Sequence, residues 1–194
     1  MIETSHAIQI VHGRLSEPRF QHSLNVARLA AEMAVTFQVD SEKAFLVGVL
    51  HDYAKDLSPD QLLLIAEDNE LIENDIERQT PDLLHAPVGA VLLQKELGIK
   101  DSEVLEAVKA HTLGSMNMSI LDMIIFLADM TEPDRKLYPD LECLRQLSFW
   151  DLDKAMLLGL ESTIRYCLNH QKVLHPRTVM VRNNFLYKIN EHEV

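Results

Sequence analysis

The sequence predicts an all-α fold, a single compact helical bundle, and three observations carry that expectation. Apolar residues recur at helical spacing in nearly every segment. No Asn-Gly or Asp-Gly dipeptide marks a hairpin, and no two segments read as a strand pair. The 194 residues are 47% hydrophobic, enough for one core, and no Ser/Gly/Pro-rich linker, repeat or low-complexity tract divides them.

The elements follow in order. Pro18 is a first-turn proline opening a helix through about Phe37, with a stripe of Leu24, Val26, Ala27, Leu29, Ala30, Met33 and Ala34. His22 lies in its second turn, and Arg19 lies three residues earlier on the same side. Asp40 or Ser41 caps a helix from Glu42 to about Lys55. Ser58-Pro59-Asp60-Gln61 combines an N-cap, a proline at the first helical position and a Gln two residues further on. Residues 67–82 are acidic and weakly periodic, consistent with one short helix and loops. Leu83-Leu84-His85-Ala86-Pro87 enters a helix that Gly98 ends. Another runs from Asp101-Ser102-Glu103 to His111, with Gly114 ending the turn after it. Ser119 caps Ile120 to Met130, which Glu132-Pro133-Asp134-Arg135 breaks. Residues 136–150 are irregular around a short helix at Leu141–Leu147. Two longer helices follow, about Asp151 to His170 and Arg177 to Asn190. These C-terminal helices either cover the core or form a homodimer face.

Composition narrows the partners. A formal charge of −12 argues against nucleic-acid polymers, whose phosphates need a basic surface. A small nucleotide is compatible, because a metal or a local cluster supplies the positive charge. Ile120 to Met130 is too short to span a bilayer, so no membrane role is expected. The N-terminus lacks a secretory signal pattern. Cys143 and Cys167 form no CxxC and read as reduced, buried thiols of a cytoplasmic protein.

The chemistry gathers around Leu50-His51-Asp52-Tyr53-Ala54-Lys55-Asp56. An apolar run ends there in an imidazole, a carboxylate and an ammonium. Desolvating such groups is costly, and a metal ion offsets that cost. The same pattern recurs elsewhere: His22, His85, His111 and Asp129 also fall within apolar-periodic segments. Singly, each has a structural explanation, such as a satisfied boundary histidine, a helix end reaching solvent, or an Asp129–Arg135 ion pair. Asp122 reads as a first-turn helix acid stabilised by the dipole. Together, four imidazoles and two carboxylates supply ligands for one octahedral ion or a bridged pair.

The order of these residues resembles the HD-domain metal-dependent phosphohydrolases, in which a His, a His-Asp dipeptide, further histidines and a distant Asp follow one another. The resemblance is closer to the YqeK-type HD proteins, the symmetrical bis(5′-nucleosyl)-tetraphosphatases. It is carried by Arg19-Phe20-Gln21-His22-Ser23, His51-Asp52-Tyr53-Ala54-Lys55, Leu84-His85-Ala86-Pro87-Val88-Gly89-Ala90 and His111-Thr112-Leu113-Gly114. Leu127-Ala128-Asp129, Glu132-Pro133-Asp134-Arg135 and His175-Pro176 extend it, so that it covers about residues 15–180 of one domain, 1–194. At Met130-Thr131 the sequence departs from the bulkier residues expected there, at a point where a base or ribose would pack.

The resemblance implies a set of roles. His22, His51, Asp52 and Asp129 are the expected metal ligands, with Asp52 placed to bridge to a second ion. His85 and His111 either complete that second site or hydrogen-bond substrate phosphates. Asp52, Lys55, His85 and His111 are the expected catalytic residues. Arg19, Lys55, His85, His111, Met130, Arg135, Arg177 and Thr178 are the expected substrate contacts; Arg177 and Thr178 read equally well as a plain helix start. The cofactor is one or two divalent transition metal ions, iron first, with Mn, Co, Ni or Zn equally suited by ligand type. The implied substrate is a dinucleoside polyphosphate, diadenosine tetraphosphate, cleaved by activated water to two ADP. Another HD-type nucleotide phosphohydrolase or phosphodiesterase, a di-iron oxygenase, and a non-catalytic nucleotide sensor are the alternatives.

Overall fold

Two helices cross at a point where only a glycine fits. In the computed structural model, which describes residues 2–192, helix α2 (Glu17–Thr36) and helix α3 (Ser41–Leu50) meet at Gly48 and Ala27. A Cβ built at Gly48 would stand 2.4 Å from the Ala27 Cα. The two backbones therefore touch, and His22, five residues before Ala27 on α2, and His51, three residues after Gly48 and just past α3, are brought near each other, with ring centroids 5.4 Å apart.

The remaining elements are α1 (Thr4–Arg14), α4 (Pro59–Asp68), α5 (Asp75–Gln79), a single 3₁₀ turn (Pro81–Leu84) and α6 (His85–Leu97). After these come α7 (Ser102–Ala110), α8 (Ile120–Thr131), α9 (Leu141–Leu147), α10 (Leu152–Asn169) and α11 (Pro176–His192). All regular structure among the described residues is helical. Helix α8 is the hub, packing on α2, α3, α7, α9 and α10. Its residues Leu121 to Ala128 are all buried, as suits a helix with neighbours all round. One contiguous apolar cluster runs from Ala7 and Val11 on α1 to Val181 and Phe185 on α11. Helix α10 lies on α8 and α11 lies on α10, so the C-terminal pair covers the core.

The helix starts are as the sequence chemistry dictates. Asp40 accepts from the Glu42 and Lys43 amides, and Asp101 and Asp151 cap α7 and α10. Ser58 with Gln61 and Ser119 with Asp122 form reciprocal capping boxes, each satisfying two amides that have no partner in their helix. Asp122 is thus a structural acid. Gly98 (φ 65°) closes α6 in the left-handed region. No described helix is long and apolar enough to cross a membrane.

Three expectations need correction. Helix α1 is additional; its buried stripe is only Ala7 and Val11, too thin to register as periodicity. The helix through the His-Asp dipeptide ends at Leu50, not Lys55. Residues 51–56 form a chain of tight turns, with amide bonds Tyr53→Leu50 (3.0 Å) and Lys55→Asp52 (2.8 Å). Contacts to side chains elsewhere hold this segment, so the local helical preference is overridden. The thiols are not buried: Cys143 is exposed and Cys167 half-buried, because Leu141 and Leu144 take the inner face of α9.

Candidate metal centre

The histidines are aimed by a shared device. His51 and His111 sit just past the ends of α3 and α7, and His85 just past the 3₁₀ turn as the first residue of α6. Each ring turns back and lets Nδ1–H donate to the carbonyl three residues earlier. His51 donates to Gly48 at 2.7 Å, His111 to Val108 at 2.6 Å, and His85 to Asp82. His22 is mid-helix and has no free carbonyl to use. Its Nδ1 faces the Glu132 carboxylate at 3.3 Å instead. The carbonyl bonds thus assign the donor proton of the His51, His85 and His111 rings to Nδ1, and all four rings leave Nε2 pointing inward.

The inward atoms converge with two carboxylates. His22 Nε2 lies 2.9 Å from Asp129 Oδ1, and His51 Nε2 lies 3.9 Å from the same oxygen. Asp52 Oδ2 lies 3.6 Å from His51 Nε2, and its Oδ1 lies 3.2 Å from His85 Nε2 and 3.5 Å from His111 Nε2. Two triads have donor atoms mutually within 4.8 Å: His22, His51, Asp129 and His51, Asp52, His111. His51 belongs to both, and His85 to neither. The six expected residues are therefore one cluster, with Asp52 grouped with His111 and not with His22 and Asp129.

This cluster fits a cation. His51 Nε2 is buried without a hydrogen-bond partner. His85 Nε2 and His111 Nε2 stand 3.0 Å apart, so two lone pairs face each other when both protons sit on Nδ1. Burial holds the His51 imidazole pKa down at about 4, leaving it neutral and able to ligate. Burial also opposes charging of Asp52, yet the neighbouring His51, His111 and His85 rings keep its carboxyl well below the usual range. Asp129 is likewise held low against burial, by its hydrogen bond with His22 and by Arg135. For His22, burial lowers the pKa, but hydrogen bonding to Asp129 and that carboxylate's charge prevail and raise it. Neutral nitrogens and ionised carboxylates are the donor set a divalent transition metal takes.

The chain matches the HD-domain family model over residues 19–134, more than half its length. The chain belongs to the HD-domain family. Its relatives place it further. It is 37% identical over 180 residues to a protein of Halalkalibacterium halodurans named bis(5′-nucleosyl)-tetraphosphatase, symmetrical, across 93% of this chain and 95% of the relative. A Bacillus subtilis protein of the same name is 32% identical over 177 residues, 91% and 94% of the two chains. Among solved structures, a Clostridium acetobutylicum protein described as a predicted HD superfamily hydrolase involved in NAD metabolism superposes with a TM-score of 0.91 at 33% identity. That match covers 97% of this chain and 99% of the other. Within the HD family the chain is thus a member of the symmetrical bis(5′-nucleosyl)-tetraphosphatase group.

Around the HD cluster, every expected substrate cation already has a carboxylate. Arg19 Nε pairs with Asp56 at 2.6 Å and Lys55 Nζ with Asp82 at 3.1 Å. Arg135 holds Asp129 twice, through its side chain and, from Nε, through the carbonyl at 2.6 Å. Arg177 pairs with Glu73. Lys55 Nζ also lies 3.2 Å from His85 Nδ1, which links the rim to the HD cluster. Met130 packs its thioether near Gly159 of α10, within the α8–α10 contact. Thr178 is buried in the first turn of α11, and a small cavity of about 70 Å³ opens between Arg177, Glu73, Ala86 and Leu113. Ala86 follows His85 directly and Leu113 lies two residues after His111, so two of the cavity's lining residues are carried by the segments that bear those histidines.

Four residues near the centre had no role in the sequence reading. Glu132 is 3% exposed and accepts from His22, from Asn25 Nδ2 (3.3 Å) and from the Asp134 amide (2.7 Å). Thr112 Oγ1 donates to His85 Nε2 at 3.2 Å. Asp82 anchors both His85 and Lys55. Asn25 carried a usable signal, three residues after His22 on the same helix face. Glu132 stood within the Glu132-Pro133-Asp134-Arg135 motif that carries the family resemblance, but nothing in its local sequence marks it as buried beside His22.

Proposed function

We propose that the chain is a metal-dependent hydrolase that cleaves diadenosine tetraphosphate at its central bridge to give two ADP, acting as one domain in the cytoplasm. The observation that carries this reading is the convergence of four imidazole Nε2 atoms on two ionised carboxylates, in a chain whose full-length relatives bear that activity's name. His22, His51, Asp52 and Asp129, with His111, are the residues we assign to one or two divalent ions, iron first. A cation held there supplies Lewis acidity and activates water towards phosphorus.

The rest is the work of this chain's side chains. Arg135, Lys55, Arg19 and Arg177 stand around the cluster as counter-charges for a chain of four phosphates. Each exchanges a carboxylate partner for a phosphate oxygen, the bidentate geometry of Arg suiting it to that exchange. His85 lies outside both metal triads, with Lys55 on one ring nitrogen and Thr112 on the other. We assign it to hydrogen bonding with a phosphate, a role its Nε2 fills when that atom carries a proton. Thr178 and the first turn of α11 are assigned to the nucleotide end, beside the small cavity. Met130, at the family's aromatic position, leaves the base with a flexible apolar neighbour.

The test is a product assay on metal-defined protein with Fe, Mn, Co or chelator. ADP as sole product, lost on chelation, is the expected result. ATP plus AMP would overturn symmetrical cleavage, and no product from folded, metal-loaded protein would overturn the hydrolase reading.

A further inference from the structure

The turn that carries Asp52 and Lys55 is gripped from outside the matched family segment. Residues 51–56 have few backbone bonds of their own, all of the tight three-residue kind with poorer geometry than a helix. Such a segment does not fix its side chains unaided. Two contacts from the α1–α2 junction, from Arg14 and Ser16, and a third from Arg19 on α2 supply what it lacks. Arg14, the last residue of α1, donates from Nε to the Tyr53 carbonyl at 2.8 Å. The Ser16 amide donates to Asp56 Oδ2 at 2.6 Å, and Arg19 pairs with Asp56 Oδ1. The turn is thus held at residues 53 and 56, on either side of Lys55 and next to Asp52.

Arg14 is itself locked. Its guanidinium carbon lies 3.9 Å over the Tyr53 ring, and its Nη1 reaches Glu96 at 2.6 Å. The Tyr53 hydroxyl donates to the same Glu96 oxygen at 2.8 Å. Only a planar, forked cation stacks on a ring while bonding a carbonyl with one edge and a carboxylate with another. None of these contacts involves the metal cluster.

We propose that Arg14 is a positioning residue for the reaction: it acts through the Tyr53 carbonyl to set where Asp52 and Lys55 point. Helix α1, outside the HD match, is in this view a working part of the site. The inference rests on the hydrolase reading for its kinetic arm only.

The experiment compares Arg14→Gln, Arg14→Lys and Glu96→Gln in the full chain. Three readouts are taken: Mn affinity by chelator competition, kcat and KM with diadenosine tetraphosphate, and Tm. Loss of an outer support for a metal ligand lowers affinity or turnover by about tenfold or more. Arg14→Gln is therefore expected to weaken Mn binding and lower kcat by about tenfold, with a smaller rise in KM through Lys55. Arg14→Lys keeps a donor for the carbonyl and recovers most of the loss. Glu96→Gln loosens the outer fork and lowers Tm, while kcat and Mn affinity stay within about twofold of wild type. Wild-type Mn affinity and kcat in Arg14→Gln would overturn the proposal. So would a loss in Glu96→Gln as large as in Arg14→Gln at the same Tm, which would mark a purely structural role. A KM change alone would make Arg14 a binding residue and overturn it too. If wild type itself releases no ADP, the hydrolase reading fails, and the Mn arm still decides on Arg14.

Discussion

The buried histidines and the cationic rim are built on opposite plans. Three of the four rings are aimed by backbone carbonyls at helix ends and the fourth by a buried carboxylate, so their directions are set by the packing of helices. The rim cations Arg19, Lys55 and Arg177 are aimed by carboxylates that are themselves partly exposed, Asp56, Asp82 and Glu73. Exposed ion pairs contribute little, about 0–1 kcal/mol each, and exchange readily. On the proposed assignment, the difference separates what must hold still from what must change partners: the proposed ligands His51, Asp52 and His111 are part of the core, and the cations Arg19, Lys55 and Arg177 proposed to meet phosphate are not.

The largest effect tests that division directly. Asp52→Ala or His51→Ala should lower turnover by more than about a hundredfold, since even an outer-shell loss costs tenfold to a hundredfold. Lys55→Ala, a rim change, should act chiefly on KM. Steady-state kinetics on the three proteins decides, and a purely KM effect from Asp52→Ala would erase the distinction. Glu132→Gln comes next. Its amide cannot match the three-way acceptance of the carboxylate, so His22 loses its aim and metal affinity should fall by about tenfold in chelator competition.

The same comparison explains what the sequence made legible. His22, His51, Asp52 and Asp129 stood out because each is polar inside an apolar stripe, a one-dimensional signal. The caps at Asp40, Ser58 and Ser119 were equally readable, since their partners lie within three residues. Glu132 was not, because its burial comes from α2 crossing α8, more than a hundred residues apart in sequence. The turn at 51–56 read as helix because its restraints arrive from Arg14, Ser16 and Arg19, which local propensity does not register. Asp82 and Glu73 sat in an acidic stretch that gave no hint of which cations it faces. The rim is thus the part least visible in sequence, for the reason that makes it exchangeable.

A smaller prediction sharpens the role of packing. Gly48→Ala forces α2 and α3 apart and should destabilise the fold by about 1–3 kcal/mol, read as a lower Tm. It should also weaken metal binding, because His22 and His51 are carried on those two helices; unchanged affinity at a lowered Tm would show that the crossing does not aim the rings. On the rim, Asp82→Asn frees Lys55 from its carboxylate. KM for the tetraphosphate should fall by up to about fivefold, the worth of one exposed pair, with kcat little changed.

The smallest effect belongs to His175, buried beside Glu77 at 3.4 Å. Burial lowers its pKa from the usual 6.5, despite the opposing charge of Glu77. The unfolded chain therefore takes up the proton first as pH falls. The stability this gives is complete above about pH 6.5 and is lost as pH drops from there towards the lowered folded value. Thermal melts of wild type and His175→Gln should converge across that interval; a constant gap would assign the residue to packing alone.

Arg135 stands on both sides of the division, and that position has a thermodynamic consequence. It grips the carboxylate and the carbonyl of Asp129 with one guanidinium while facing the rim. On the proposed assignment, a phosphate that drew that guanidinium away would leave Asp129 more of its negative charge for a cation held there. Occupancy of the two sites is then coupled, and reciprocity requires that the coupling run both ways. Whatever factor the cation contributes to nucleotide affinity, the nucleotide returns to the affinity for the cation, so a starved enzyme would be the one that gives up its metal most easily.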